Sequence, residues 1–148
     1  IDIMLEVKDK NLSAVKCNLI TKENLKIQEL EKEWARYKYY VLSASASIYQ
    51  EIRTLLKDKI NYDALSFYNL IEKAIDIENQ KPSQINTLTH IWGYFKKIGT
   101  EKEKKKFFSL LNDYQDNKKS ITPIKNYIFK LSYKYDIDYL LESLYFYL

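Results

Sequence analysis

Two hydrophobic periods divide the chain. Ile1, Ile3, Leu5 and Val7 alternate with Asp2, Met4, Glu6 and Lys8, and after the polar Asp9-Lys10-Asn11 a second run sets Val15, Cys17 and Leu19 on one face, the pattern of a β-hairpin. A three-residue loop with Asn11 in the left-handed region pairs Leu5 with Val15 and Ile3 with Cys17, keeping both apolar rows on the same side. A lone two-stranded ribbon is marginal, so that side needs the helical body or another chain beneath it.

Beyond Thr21 the period becomes helical. Leu30, Trp34, Tyr37 and Val41 stand at i, i+4, i+7 and i+11. The small-residue stretch Ser43–Ser47 ends this helix, and Ser47 with Gln50 forms a capping box for a second helix through Ile48, Ile52, Leu55 and Leu56. Asp63 caps a third through Leu65, Tyr68, Ile71 and Ile75. Ser83 caps a fourth, with a core stripe of Leu88, Ile91, Trp92 and Phe95 and a stop at Gly99. Thr100 and Glu103 form a capping box for a fifth through Phe107, Leu110, Leu111 and Tyr114. Thr122-Pro123 opens a sixth through Ile124, Tyr127, Ile128 and Leu131, and a short seventh is expected from Asp138 to Tyr145. The expected fold is a mainly α single domain over residues 1–148: a bundle of six or seven helices from residue 22 onward with an N-terminal β-hairpin over 1–20.

Composition agrees with long helices and aromatic seams. The 148 residues include 14 Tyr, 6 Phe and 2 Trp but only 2 Gly and 2 Pro. A single cysteine and a single histidine remove disulfide frameworks, Cys-rich metal sites and paired-His ligand sets, so no cofactor is expected. No apolar run nears the roughly 20 residues of a membrane helix. With no leader pattern and one free thiol, the cytoplasm is the expected compartment. The net charge of +4 is mild and matters only where it clusters. It does cluster: Lys96, Lys97, Lys102, Lys104, Lys105 and Lys106 stand against Glu101 and Glu103.

Three segments carry candidate chemistry. Asn86, His90, Gly93 and Lys97 fall on one helical stripe, set apart from the core row, with Tyr94 beside them. Glycine inside a helix costs about 1 kcal/mol relative to alanine, so Gly93 calls for the close approach of a backbone or a ligand. Either His90 is hydrogen-bonded in a helix–helix seam or the stripe faces a ligand. Arg36, Tyr39 and Tyr40 share a face with Lys38 beside them, a mixture of rings and cations suited to stacking on bases and contacting phosphates, although tyrosines at this spacing also build cores. Lys96, Lys97, Lys102 and Lys105 supply sequence-tolerant attraction to a polyanion, or simply a solvated face. There is no phosphate-cradling glycine loop, nucleophile elbow, zinc-protease helix or paired carboxylate set.

Tyr37-Lys38-Tyr39 ahead of Ser45 and Tyr49, the block His-Ile-Trp-Gly-Tyr-Phe-Lys-Lys at 90–97, and a Glu-Lys-rich helix with Tyr114 together resemble the YbgA-like family of helical bacterial domains, over about Glu33 to Tyr145. The resemblance implies a domain found alone or fused to TudS-type desulfidases that remove sulfur from 4-thiouridine in tRNA, where it helps hold the RNA. The desulfidase cysteines are absent here, so that chemistry would come from a protein partner. The expectation is an RNA-binding accessory module, with tRNA the RNA implied, no membrane association and no catalytic centre of its own. Arg36, Lys38, Tyr39, Asn86, His90, Gly93, Tyr94, Lys96, Lys97, Lys102 and Lys105 are its candidate contacts. The alternatives are a small enzyme using His90 as general acid or base on an anionic substrate, and a protein-interaction bundle.

Overall fold

Trp34 and Tyr39 lie on opposite sides of one helix, and that division organises the molecule. The computed structural model describes residues 26–147, and both the expected hairpin over 1–20 and the expected onset of the helical body at residue 22 lie outside them. Among the described residues there are seven α-helices and no strand. Helix α1 (Ile27–Ala44) is the shared wall. Leu30, Trp34, Tyr37, Val41 and Ala44 pack against α2 (Ala46–Lys57) and α3 (Ala64–Ile75) around Ile48, Ile52, Leu56, Phe67, Tyr68, Ile71 and Ala74. Tyr39 and Leu42 face a second core built from α4 (Lys81–Trp92), α5 (Glu101–Gln115), α6 (Thr122–Lys134), the short α7 (Asp138–Leu141) and a closing 3-10 turn, Leu144–Phe146. In the second core the Trp92 and Phe107 rings stack at 4.6 Å and 9°. Each fully buried side chain of this kind stabilises the fold by about 1.5–3 kcal/mol before entropy is counted.

The expected core rows of α1, α4 and α5 and the Thr100–Glu103 capping box are all present. Several helix ends differ from expectation. One extended residue, Ser45 (φ −159°, ψ 116°), separates α1 from α2 and serves both: its N–H donates to Val41 O at 2.8 Å and its hydroxyl accepts from Ile48 N at 3.2 Å. Ser47 is therefore already in the first turn, exposed, because this register points Ile48, Ile52 and Leu56 inward. Helix α4 begins at Lys81 behind Gln80, not at Ser83, with Pro82 in the first turn, where a missing N–H costs nothing. Leu65 is exposed and Phe67 fills the core instead. The α-helical part of the last segment stops at Leu141, not Tyr145.

With so few glycines, left-handed helix ends fall to other residues. Asn117 (φ 61°) follows α5 and Asp136 (φ 53°) follows α6, and both residue types tolerate this region. The C-terminal turn is then locked in place. The Tyr145 hydroxyl, fully buried, donates to Gln84 Oε1 at 2.6 Å, and the Lys125 amine donates to the Tyr145 carbonyl at 3.1 Å. Burial pulls the pKa of Lys125 down to about 8.

Candidate functional site

Helix α4 divides its surface cleanly. Leu88, Ile91, Trp92 and Phe95 are buried, whereas Asn86, His90, Gly93 and Lys97 are all exposed. The stripe is thus open to solvent, and the reading of His90 as an interior packing group is not what the fold shows. Gly93 is the C-cap of α4, with helical φ −51° and ψ −30°, and opens a 3-10 turn, Gly93–Phe95. A Cβ placed on Gly93 would meet nothing within 4 Å, so the expected close approach of another backbone is absent within the described residues. Gly99 is the crowded glycine: its N–H donates to Phe95 O at 2.7 Å, and a Cβ there would stand 2.9 Å from that oxygen.

One turn beyond His90, the open stripe runs into a group of tyrosines. Tyr94, in the 3-10 turn that follows α4, stacks on Tyr139 of α7 at 6.0 Å and 23°. Both rings meet the buried Tyr39 edge-on at 6.4 Å, and the Tyr39 hydroxyl donates to the Tyr94 oxygen at 3.0 Å. Tyr39 is thereby a foundation and not a surface platform. Tyr94 and Tyr139 are 37% and 38% exposed, leaving part of each ring available. Because Tyr94 accepts from Tyr39, its own O–H is not used in that bond. Burial, the hydrogen bond to Tyr94 and the neighbouring phenols push the Tyr39 pKa up; burial followed by Tyr94 and Tyr49 does the same for Tyr139, so both stay neutral near pH 7.

Cations sit at the margin of this group. The Lys38 amine lies 5.7 Å from the Tyr39 ring centroid, and Arg53 of α2 lies 5.7 Å from that of Tyr49. Burial, then the charge of Arg53, lowers the Lys38 pKa. Arg36 does not join them. It pairs with Glu33 at 3.6 Å and lies beside Tyr37 and Tyr68 on the α3 side of α1, so the expected shared face of Arg36, Tyr39 and Tyr40 does not form, and Tyr39 and Tyr40 are both buried. Lys96, Lys97, Lys102 and Lys105 are all exposed, and none is ion-paired with another described residue. Tyr49, Arg53 and Tyr139 were not among the sequence candidates. Only tertiary packing around Tyr39 of α1 and the Tyr94 turn brings them in, and nothing local marks Tyr139 among fourteen tyrosines.

Chemically this surface can stack, donate and accept hydrogen bonds, and attract anions. His90 has no hydrogen-bonded carboxylate among the described residues to orient it as a general base would require. No group of three or more His, Cys, Asp or Glu among the described residues is placed to hold a metal ion, and no helix among them is long and apolar enough to cross a membrane.

Residues 38–148 match the family described as "Protein of unknown function (DUF1722)". A protein named UV DNA damage endonuclease from Clostridium perfringens (strain 13 / Type A) is 32% identical over 120 residues, an alignment covering 71% of this chain and 28% of that relative. The chain thus spans less than a third of the length of the curated protein it matches. No solved structure matches it.

Proposed function

The chain belongs to the DUF1722 family of unknown function, and from that premise we propose that it is a nucleic-acid-binding accessory module that engages single-stranded or looped RNA, with tRNA the preferred ligand. The observation that carries the proposal is the open Asn86–His90–Gly93–Lys97 stripe leading into the half-exposed Tyr94–Tyr139 pair. Neither crowding nor backbone conformation inside the fold demands Gly93, and its bare surface lets a flat base approach the neighbouring ring. Aromatic stacking contributes about 1–3 kcal/mol per base and tolerates any sequence, while the unpaired lysines supply the counterion-release term. The finer likeness to YbgA-like domains supplies the RNA. A DNA strand is the second reading, favoured by the similarity to the C. perfringens protein named UV DNA damage endonuclease.

The test is fluorescence anisotropy with tRNA and a single-stranded DNA of equal length, on wild type and on His90→Ala and Tyr94→Ala, each checked by thermal melt. Tyr94→Ala should weaken binding at least fivefold when measured well below its melting temperature, which should itself fall because the buried Tyr39 hydroxyl loses its acceptor. With three to five phosphates neutralised, log affinity should fall against log salt with a slope of about −2 to −3.5. Tighter binding of DNA than of tRNA selects the second reading. No binding of either at low salt, or binding indifferent to salt, refutes the proposal. Turnover of a thiolated nucleotide by this chain alone, abolished in His90→Ala, would make it an enzyme.

A further inference from the structure

Helices α5 and α6 run antiparallel. Glu103, in the first turn of α5, meets Lys134 at 2.9 Å and the Tyr135 hydroxyl at 2.5 Å at the far end of α6, and the Lys106 amine lies 4.7 Å from the Tyr127 ring centroid. Along this pair runs an open groove of about 510 Å³, lined by Lys106 and Leu110 of α5 and by Pro123, Asn126, Tyr127, Phe129 and Lys130 of α6. Pockets for small ligands commonly fall between about 300 and 1,000 Å³.

The groove is chemically polar along its length. The antiparallel register puts Lys106 near the level of Lys130 and Leu110 toward Pro123, with the Tyr127 ring between them and against the Lys106 amine, so the cations gather at one end and Leu110 and Pro123 make the other apolar. No carboxylate lines it. The acids of α5 flanking these positions are paired: Glu103, whose charge reaches Tyr127, with Lys134, Tyr135 and the Thr100 N–H, and Asp113 with Lys119 at 3.6 Å. Neither Lys106 nor Lys130 is ion-paired with a described residue. Lys102, one turn before Lys106, extends the same cationic edge.

A ligand complementary to this surface has an anion at one end and a flat apolar body at the other. We propose that the groove holds one nucleotide of a single-stranded nucleic acid, its phosphate between the Lys106 and Lys130 amines and its base on Leu110, Pro123 and Tyr127. The Asn126 carboxamide is in position to read the base edge. This rests on the nucleic-acid reading above and adds a second contact, distinct from Tyr94 and Tyr139.

The test uses the full chain and a fluorescein-labelled decauridylate. The variants are Lys106→Glu/Lys130→Glu, the milder Lys106→Gln/Lys130→Gln, and a control charge reversal at Lys104→Glu/Lys118→Glu. The groove reversal should weaken binding tenfold or more, against less than threefold for the control, and flatten the salt slope by about 0.7 or more, the share of one phosphate on a single strand. The Gln pair should weaken it at least threefold and melts as wild type, which covers any folding defect in the Glu pair. Irradiating a 5-bromouridine strand should cross-link Tyr127. If wild type binds the strand but both groove variants match the control, the groove proposal falls and the nucleic-acid reading stands. If wild type binds no strand at low salt, both fall. If uridine monophosphate displaces the strand at equal concentration, the occupant is a free nucleotide and the strand assignment is overturned.

Discussion

Glu103→Gln isolates the charge that ties the start of α5 to the end of α6. One carboxylate oxygen accepts from the Thr100 N–H at 2.9 Å and the Tyr135 hydroxyl at 2.5 Å, and the other accepts from the Lys134 amine at 2.9 Å. These donors, with the Thr100 N–H the largest influence, pull the Glu103 carboxyl from 4.5 to about 2. At about 1.4 kcal/mol per pH unit the linkage approaches 3.4 kcal/mol, but Lys134 is largely in water and solvent screening leaves about 2 kcal/mol. The sign follows from a folded-state pKa below the unfolded one. The stabilisation is complete above pH 4.5 and drains away as pH falls toward about 2. Glutamine keeps the shape and one acceptor but not the charge. At pH 7 the variant should melt about 4–8 °C lower, taking about 2–4 °C per kcal/mol for a chain of this size. Differential scanning fluorimetry from pH 7 to pH 2.5 should show the two melting curves converging below pH 4.5. A gap that stays constant down to pH 3, or no gap at pH 7, would refute the account.

Tyr68→Phe should leave the melting temperature unchanged or raise it, because the Tyr68 hydroxyl is buried with no hydrogen-bond partner among the described residues; a loss above about 1 kcal/mol in urea unfolding contradicts this. Tyr145→Phe should cost about 1–3 kcal/mol by leaving Gln84 Oε1 buried and unpaired, read from the same unfolding curves. The two glycines should part company. Gly93→Ala should stabilise by up to about 1 kcal/mol, and Gly99→Ala should destabilise by about 1–3 kcal/mol, since only the second methyl collides with a carbonyl oxygen. Equal effects at the two sites would show that crowding is not what separates them.

Local chemistry determined much of this protein from its sequence alone. The 3.6-residue period of Leu30, Trp34, Tyr37 and Val41, the Asp63 cap and the Thr100–Glu103 box involve residues within a few turns of each other, and each appears as read. The polar stripe through Asn86, His90, Gly93 and Lys97 was legible as a face apart from the core row, because helical phase separates the two, but whether another helix would seal that face was decided only by the packing, which leaves it exposed. Other choices depended on competition that the sequence does not display. Ser45 and Ser47 are equivalent as caps, and only the requirement that Ile48, Ile52 and Leu56 face α1 and α3 selects Ser45. Arg36 and Tyr39 are near in sequence, yet a helix packed on two sides sends Tyr39 into the second core and leaves Arg36 partly exposed beside Glu33 on the other side. Tyr39, Tyr94 and Tyr139 came together only through tertiary packing, as did the groove between α5 and α6. Partnership across 55 residues, from Tyr39 to Tyr94, is set by which helices become neighbours, and helical periodicity fixes a residue's face without naming what that face will meet.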